Sequence, residues 1–438
     1  MKKLLALCLI GCATLPAQQI PAATQLPGSP FFIKQTWIVG GVGNWDYLTL
    51  DPAARRLFIA HGPVVQVVDL DTGALAGQIT GLREAHAIAL DDTGEFGYIS
   101  DGPSGQVKVF DRRSFQVVAA IPTGSAPRAL VFEPQNRLLF AICANSATEN
   151  PATPQPATNR AKSPPNATTR SSPQNKNPQS VTDREIKSSV TVIDAQTRQP
   201  LAEILMPGKL GFAQTGGNGQ VFINIVNRNQ IARLDAQAIA AFLRGHSAAS
   251  SQPATIQSVS APSSPSKQFA APPVLDWSHE SRLPNSAESR MNIFALGPDC
   301  REPSALAVDG GHQRLFAACG NMKMVVLNAD SGELVASLPI GPGTEAIGYD
   351  AGRGLIYAAN GGAQGTLTVI RQDVTDTYSE IQNLPTRQRA RTLAVNPVTG
   401  EVYLVTDLLG VNLAQPGTIG TLQTAPVNGS FQVLVVGN

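Results

Sequence analysis

The chain has 438 residues, more than one ordinary hydrophobic core needs unless a repeat architecture lets a single domain grow. Its 33 Lys and Arg nearly balance its 32 Asp and Glu, so the net charge of +1 gives no field to attract nucleic acid or an anionic membrane. Charged residues are only 15% against 42% hydrophobic, with 39 Gly and 33 Pro, which favours many short strands and turns over solvated helices.

The N-terminus has the pattern of a secretory signal peptide. Lys2 and Lys3 precede an apolar run over residues 4–10, and small residues follow it. This run is too short to cross a bilayer as a helix, and no later stretch reaches the roughly 18 unbroken apolar residues of a membrane span. We therefore expect an exported protein, periplasmic or extracellular, with a signal peptide over residues 1–17 and a linker over residues 18–30.

Two processing routes stay open at this signal. The sequence Leu9-Ile10-Gly11-Cys12 resembles a bacterial lipobox, which would attach diacylglycerol to Cys12. Alternatively, Leu15-Pro16-Ala17 could be an ordinary cleavage site. The first route predicts membrane contact through a lipid anchor, and the second predicts free secretion.

Self-similarity dominates the sequence after the linker. One unit recurs: an apolar strand ending in Asp, a second strand of Leu-Phe or Val-Tyr type, a third strand ending in Asp, a Thr-Gly turn and a fourth strand. The first copy contains Tyr47-Leu-Thr-Leu-Asp51, Arg56-Leu-Phe-Ile-Ala60 and Val64-Val-Gln-Val-Val-Asp69. Six further copies begin at or near Ala87, Arg128, Leu210, Ser304, Ala346 and Arg391.

The spacing of these copies identifies the architecture. From Asp46 to His86 is 40 residues, and from Ser304 to Ala346 is 42. This is the period of a four-stranded propeller blade, roughly 40 to 50 residues. The sequence therefore predicts an all-β fold, a seven-bladed β-propeller over residues 31–438.

Ring closure is predicted from the two ends of the chain. The last copy supplies only three strands, and an apolar segment without a unit of its own lies before the first copy at Phe31–Val39. An open ring would leave a long unpaired strand edge. We therefore expect this N-terminal strand to complete blade seven.

Two inserts interrupt the period. Residues 144–187 lie between the second and third strands of blade 3 and are crowded with Pro, Asn, Thr and Ser, so we expect a disordered loop on the face that carries the connections between blades. Residues 238–290 lie between the third and fourth strands of blade 4, on the opposite face. This second insert is expected to be partly disordered, with a short helix over residues 238–244 and disorder over residues 247–273.

Three cysteines lie outside the signal peptide, at positions 143, 300 and 319. Without a Cys-x-x-Cys pair they do not support a zinc ribbon, a thioredoxin-type site or covalent haem. Export permits one disulfide, and Cys300 and Cys319 are its best candidates because they flank one predicted hairpin. The alternative, two buried and unpaired thiols, stays open.

The second strand of the repeat resembles that of a known family. Tyr98-Ile-Ser-Asp101, Tyr357-Ala-Ala-Asn360 and Tyr403-Leu-Val-Thr-Asp407 are similar to the Tyr-Val-Thr-Asn run of the YVTN-repeat, YncE-like β-propellers, whereas Phe58-Ile-Ala-His61 departs at its last position. The stretch Leu384–Val395 also resembles this family's passage from blade six to blade seven. The resemblance implies the propeller fold and supplies no shared catalytic motif.

A ring of polar residues is predicted at one mouth of the central channel, because the residues just before each innermost strand converge on the axis. Two interpretations stay open: the residues bind a small polar ligand, or they pair with one another and with water. By position the ring comprises Asp46, His86, Arg128, Glu302, Glu345 and Arg391.

Metal-assisted hydrolysis of the lactonase type is the alternative chemistry for this mouth. It would need several carboxylates facing one ion. Asp46, Glu302 and Glu345 are the only candidates, and the cations Arg128 and Arg391 interrupt them. We therefore assign no catalytic residue, no metal and no cofactor.

Two further polar sets have structural interpretations. His61 and His86 are near the mouth, where hydrogen-bonded structural roles are favoured. The aspartates that recur near third-strand ends are expected to accept hydrogen bonds from the turn that follows. These are Asp69, Asp111, Asp194 and Asp330.

The sequence thus favours a non-enzymatic binding or scaffolding protein, a monomer, whose loop-bearing face takes a protein, a glycan or a small molecule. A nucleic-acid partner is not expected. The long loop Leu408–Gly429 and the first insert share this face, which is typical of a rigid scaffold with functional loops.

Overall fold

The computed structural model describes residues 31–41, 43–145, 187–249, 272–278, 290–374, 376–411 and 424–438. The predicted signal peptide, the lipidation candidate Cys12, the linker and most of both inserts lie outside the described residues. No helix within the described ranges is long and apolar enough to cross a membrane.

Seven sheets surround a central channel, each with four antiparallel strands, and the sheet of blade 3 has a fifth, which confirms the predicted β-propeller. In each of blades 1 to 3 consecutive strands run from the channel outward. The strands of the first half are β1 (Phe32–Ile38), β2 (Trp45–Asp51), β3 (Arg56–His61), β4 (Val64–Asp69), β5 (Leu75–Ile79), β6 (Ala85–Leu90), β7 (Phe96–Asp101), β8 (Gln106–Asp111), β9 (Val117–Pro122), β10 (Ser125–Glu133), β11 (Leu138–Asn145), β12 (Lys187–Asp194) and β13 (Gln199–Pro207).

Blades 4 to 7 follow the same plan. Three strands, β17 and the pair β29–β30, are additions to it. The strands of the second half are β14 (Leu210–Thr215), β15 (Gln220–Ile225), β16 (Gln230–Asp235), β17 (Val274–Asp276), β18 (Met291–Ala295), β19 (Pro303–Asp309), β20 (Arg314–Cys319), β21 (Lys323–Asn328), β22 (Leu334–Pro339), β23 (Thr344–Asp350), β24 (Leu355–Asn360), β25 (Thr366–Val374), β26 (Thr377–Pro385), β27 (Leu393–Val395), β28 (Val402–Thr406), β29 (Leu409–Val411), β30 (Thr424–Pro426) and β31 (Gln432–Gly437).

Blade 1 comprises β2–β5, blade 2 β6–β9, blade 3 β10–β13, blade 4 β14–β16 with β18, blade 5 β19–β22 and blade 6 β23–β26. The hydrophobic cores lie between these blades. The third strand of blade 1 buries Val65, Val67 and Val68 completely, because neighbouring blades cover both faces of the sheet. The tyrosines that begin the family-like run are also almost wholly buried, and the Tyr98 hydroxyl donates to the Ala195 carbonyl at 3.0 Å. Each such tyrosine therefore fills the space between two blades.

The N-terminal strand closes the ring as predicted. β1 pairs antiparallel with β31 from Phe32–Gly437 to Ile38–Gln432, and the strand order of blade 7 is β1-β31-β28-β27. The buried Gln382 of blade 6 holds the residue before β1 by both backbone groups. The Phe31 N–H donates to Gln382 Oε1 at 3.2 Å, and Gln382 Nε2 donates to the Phe31 carbonyl at 2.9 Å.

The described part of the second insert is more structured than the sequence indicated. A helix, α1, spans Ala236–Ala249, so it begins before and ends after the predicted helix and includes the first residues expected to be without structure. β17 then pairs in parallel with Glu203–Leu205 of β13 and gives blade 3 a fifth strand. An insert of blade 4 thus covers the outer edge of blade 3.

The turn aspartates behave as predicted at three of four positions. Asp69 accepts the backbone N–H groups of residues 71 and 72, Asp111 accepts those of residues 113 and 114, and Asp194 accepts that of residue 197. The Thr72 backbone hydrogen bond is the largest effect that holds the pKa of Asp69 below its usual value. In blade 5 the acceptor is Asn328, not Asp330, because the strand ends two residues earlier than we assigned.

Cys300 and Cys319 form a disulfide with a Cα–Cα distance of 5.3 Å. The bridge joins the loop before β19 to the end of β20. Cys143 is a free, fully buried thiol, and burial raises its pKa to about 12. Such a thiol carries almost no thiolate at neutral pH, so we assign it no reactivity.

Candidate ligand site at the channel mouth

A β-bulge positions the residues of the mouth. Near the start of the innermost strand in blades 1 to 6 the pairing register shifts, which leaves one extra residue out of the ladder. In blade 3, Pro127 pairs with Cys143 and Ala129 pairs with Ile142, so Arg128 is the extra residue.

The bulged position has a fixed spacing to a second landmark. It lies five residues before the polar residue that ends the inner strand and accepts hydrogen bonds from the next turn. The pairs are Asp46 with Asp51, His86 with Asp91, Arg128 with Glu133, Ser304 with Asp309 and Glu345 with Asp350. In blade 7, where the described pairing of the inner strand has no bulge, Arg391 lies the same five residues before Asn396.

Five of the six predicted ring residues line one polar cavity of about 450 Å³. They are Asp46, His86, Arg128, Glu345 and Arg391. Five further residues that were not predicted for the ring also line the cavity: Asn44, Trp45, Tyr47, Glu84 and Ala85.

Glu302 does not belong to this ring. The five-residue spacing assigns the blade 5 position to Ser304, two residues later, and Glu302 instead lines a separate surface depression with Asn229 and Arg301. The Ser304 hydroxyl donates to the Thr344 carbonyl at 2.7 Å. The prediction for Glu302 is wrong because the β-bulge of blade 5 lies between Pro303 and Ala305, which makes Ser304 the extra residue.

Two side-chain pairs, one imidazole–carboxylate and one guanidinium–carboxylate, connect neighbouring blades at the mouth. His86 Nδ1 lies 2.9 Å from Asp46 Oδ2, and Arg391 Nε lies 2.7 Å from Glu345 Oε2. Arg128 is exposed and has no side-chain hydrogen bond or ion pair with any residue in the described ranges. One guanidinium group at the mouth is therefore available to a ligand.

Trp45 supports the blade 7 side of the mouth. Its ring is almost fully buried, and the guanidinium carbons of Arg389 and Arg391 lie 4.6 and 5.6 Å from its centroid. Arg389 also donates to both carboxylate oxygens of Asp407, at 2.9 and 2.8 Å. These contacts restrict the position of Arg391 and hence of its partner Glu345.

Tyr47 lies between the mouth and the channel and lines both. Its ring is 5.0 Å from that of Phe212, centroid to centroid. Burial raises the pKa of Tyr47, and the nearby Asp46 and Glu345 raise it further. Burial also raises the pKa of Glu345, with Asp46 adding to the shift and Arg391 opposing it. Carboxylate and phenol oxygens are thus concentrated on one side of the mouth.

The channel below Tyr47 has a volume of about 420 Å³ and is lined by the innermost strands of blades 1 to 4, 6 and 7. Each innermost strand pairs on its outer side only, so backbone N–H and C=O groups of its other edge face the channel. The channel therefore suits water better than an apolar ligand.

The last residue of the second strand holds the loop before the mouth. Asp101 Oδ1 accepts the backbone N–H groups of Arg83 and Glu84, both at 2.9 Å. In blade 1 the equivalent His61 is buried, with Nδ1 2.9 Å from Gln66 Oε1 and Nε2 3.3 Å from the Gly43 carbonyl. The Asn, Asp or His at this position therefore positions the mouth loops.

No group of three or more His, Cys, Asp or Glu side chains within the described ranges is arranged to hold a metal ion. Of the three carboxylates considered for the hydrolase alternative, Glu302 lies elsewhere, and Asp46 and Glu345 each have a cationic or imidazole partner.

Comparisons with known proteins agree with the fold and the repeat. No protein-family profile matches the chain. The YncE protein of Salmonella typhimurium, described as uncharacterized, is 26% identical over 111 residues, which is 25% of this chain and 31% of the relative. The YncE protein of Salmonella typhi gives the same figures. The chain thus matches about a third of the length of these relatives.

Solved structures share the fold at low sequence identity. The WD40 repeats of RRP9 superpose with a TM-score of 0.58 at 8% identity, covering 95% of this chain and all of that one. The structure of U3-55K gives a TM-score of 0.57 at 8% identity, covering 91% and 97%. At such identities the likeness establishes the propeller fold alone.

Proposed function

We propose that this chain, a YncE-like seven-bladed β-propeller, is an exported, non-enzymatic binding protein that holds a small polar molecule at the mouth of its channel. One observation carries the proposal: five charged or imidazole side chains converge on one cavity, and among them Arg128 has no partner within the described residues. A cavity of a few hundred Å³ with a few convergent polar groups is the usual form of a small-molecule site.

Export rests on the N-terminal pattern and is supported by the Cys300–Cys319 disulfide, since stable disulfides are typical of oxidising compartments. Mass spectrometry of the mature protein would identify its first residue and any acyl chains on Cys12. A mature protein that begins at Met1 would contradict export.

A non-enzymatic role is favoured by the way the carboxylates are engaged. Asp46 pairs with His86 and Glu345 pairs with Arg391, so each of these two carboxylates already has a side-chain partner. The binding proposal therefore needs no chemistry beyond hydrogen bonds and charge.

The same face offers a second contact surface for a macromolecular partner or for scaffolding. The hairpin β29–β30 rises from blade 7 on the side of the connections between blades, and Leu408 and Val427 at its base are 40% and 45% exposed. This hairpin could limit access to the mouth or take part in binding a protein or glycan.

The test is a thermal-shift screen of small polar metabolites, combined with native mass spectrometry for a co-purified ligand. We expect at least one compound to raise the unfolding temperature of the wild type but not that of Arg128→Ala. Stabilisation follows from preferential binding to the folded state.

Arg113→Ala is the matched control, because Arg113 is also exposed and lies in the β8–β9 turn, away from the mouth. It should respond as the wild type does. Hits that stabilise wild type and Arg128→Ala equally would contradict the proposed site, and turnover of a hit, followed by NMR, would favour the hydrolase alternative.

A further inference from the structure

We propose that the mouth recognises a small zwitterion, a molecule such as an α-amino acid that carries one carboxylate and one ammonium group. The inference rests on the proposed function and names the ligand class for the same cavity. It follows from the way charge is distributed around the ring.

Arg128 provides the site for the carboxylate. On one side of Arg128 around the ring, blades 4 and 5 have Gly211 and Ser304 at the bulged position. The Ser304 hydroxyl donates to the Thr344 carbonyl. On the other side, in blade 2, His86 is paired with Asp46. The Arg128 guanidinium thus lines the cavity without a side-chain partner in the described ranges, and its planar fork of N–H donors matches a carboxylate.

Asp46 and Glu345 provide the site for the ammonium group. Asp46 uses one oxygen in its contact with His86, and Glu345 uses one in its contact with Arg391; the two side chains remain 29% and 50% exposed. Their charges act on each other and on Tyr47, since Asp46 raises the pKa of Glu345 and both raise that of Tyr47. A cation placed beside these oxygens would relieve this repulsion.

A ligand with a single charge fits this arrangement less well. An anion bound to Arg128 shares the cavity with Asp46, Glu84 and Glu345, whereas a cation bound to the carboxylates shares it with Arg128 and Arg391. A zwitterion meets an opposite charge at both ends. Such complementarity contributes mainly to specificity.

The experiment is isothermal titration of the full chain with L-alanine and L-glutamine, compared with propionate and ethylamine, which retain one charge each. We expect the amino acids to bind at least about tenfold more tightly than either single-charge analogue, because one charge-assisted interaction is lost in each analogue. Tryptophan fluorescence provides a second readout, since one of the three tryptophans, Trp45, lies beside Arg391 at the mouth.

Variants assign the two ends. Arg128→Ala should abolish the preference for L-alanine over ethylamine, and Glu345→Gln should reduce the preference over propionate. Arg113→Ala should keep both preferences. Circular dichroism and the unfolding temperature verify that each variant is folded.

Equal affinity for the amino acids and for either analogue would overturn the zwitterion inference, as would amino-acid binding that Arg128→Ala does not weaken. If amino acids do not bind but a compound from the thermal-shift screen still depends on Arg128, the zwitterion inference fails and the proposed function stands. If no compound depends on Arg128, both fail.

Discussion

The charged side chains at the mouth depend on one another. Glu345 is held by Arg391, which is in turn packed against Trp45 together with Arg389. The pKa of Glu345 is the most direct measure of this coupling, because burial and Asp46 raise it while Arg391 lowers it.

We expect the pKa of Glu345 to lie above its ordinary value of 4.5 in the wild type. Asp46→Asn should lower it, because a repelling charge is removed, and Arg391→Gln should raise it further, because the attracting charge is lost. Carboxyl ¹³C NMR titration measures all three values. Shifts in the opposite directions would contradict the electrostatic arrangement.

This raised pKa has a defined consequence for stability. The folded state binds the Glu345 proton more tightly than the unfolded state does, so the contribution of this residue to folding decreases as pH rises from the ordinary value through the raised one. Above that window the penalty for burying the charge is fully present.

At the scale of elements, β17 and α1 form a small cap over blades 3 and 4. The Trp277 side chain is 4% exposed, its ring centroid lies 6.4 Å from that of Phe242 in α1, and the Arg290 guanidinium carbon lies 5.2 Å from it. The backbone N–H of Trp277 donates to the Leu205 carbonyl of β13 at 3.1 Å. The cap therefore covers a strand edge that would otherwise be unpaired.

Trp277→Ala should destabilise the protein by about 3–5 kcal/mol, because a large buried side chain is removed. We also expect faster hydrogen exchange at the Glu203 amide, which donates to the Pro273 carbonyl. Urea unfolding and exchange measured by mass spectrometry test both expectations.

The control is Val274→Ala in β17, because the Val274 side chain is 54% exposed. Unchanged exchange in Trp277→Ala would show that β17 does not depend on this tryptophan.

At the scale of the whole molecule, the ring depends on contacts between its two ends. β1 and β31 share a sheet, and the core between blades 7 and 1 combines Tyr403 and Val405 with Leu57 and Ile59. Gln382 connects the start of β1 to blade 6 as well.

Deletion of residues 31–39 should lower the unfolding midpoint by at least roughly 10 °C, because it removes a strand and exposes the edge of β31. A chain that begins at residue 31 is the control and should unfold like the mature protein. Gln382→Ala should reproduce a smaller part of the loss, about 1–3 kcal/mol, since it leaves both backbone groups of Phe31 unpaired. An unchanged midpoint after the deletion would contradict the closure of the ring by β1.

The sequence by itself determined the architecture, because a unit of about 40 residues with apolar strands of period two repeats along the chain. Each copy of this unit predicts the same four-stranded blade. The same local repetition predicted the closing strand, the turn aspartates at three of four positions and five of the six ring residues. Even Ser304 could have been found from the sequence, through its five-residue spacing to Asp309.

Tertiary structure decided what repetition cannot encode. The partnership of Glu345 with Arg391, the unpaired state of Arg128 within the described residues and the role of Tyr47 depend on which blades face one another across the ring. The parallel pairing of β17 with blade 3 likewise joins residues about 70 positions apart with no counterpart in the other blades. Such contacts depend on distances in the closed ring, which no local pattern of residues specifies.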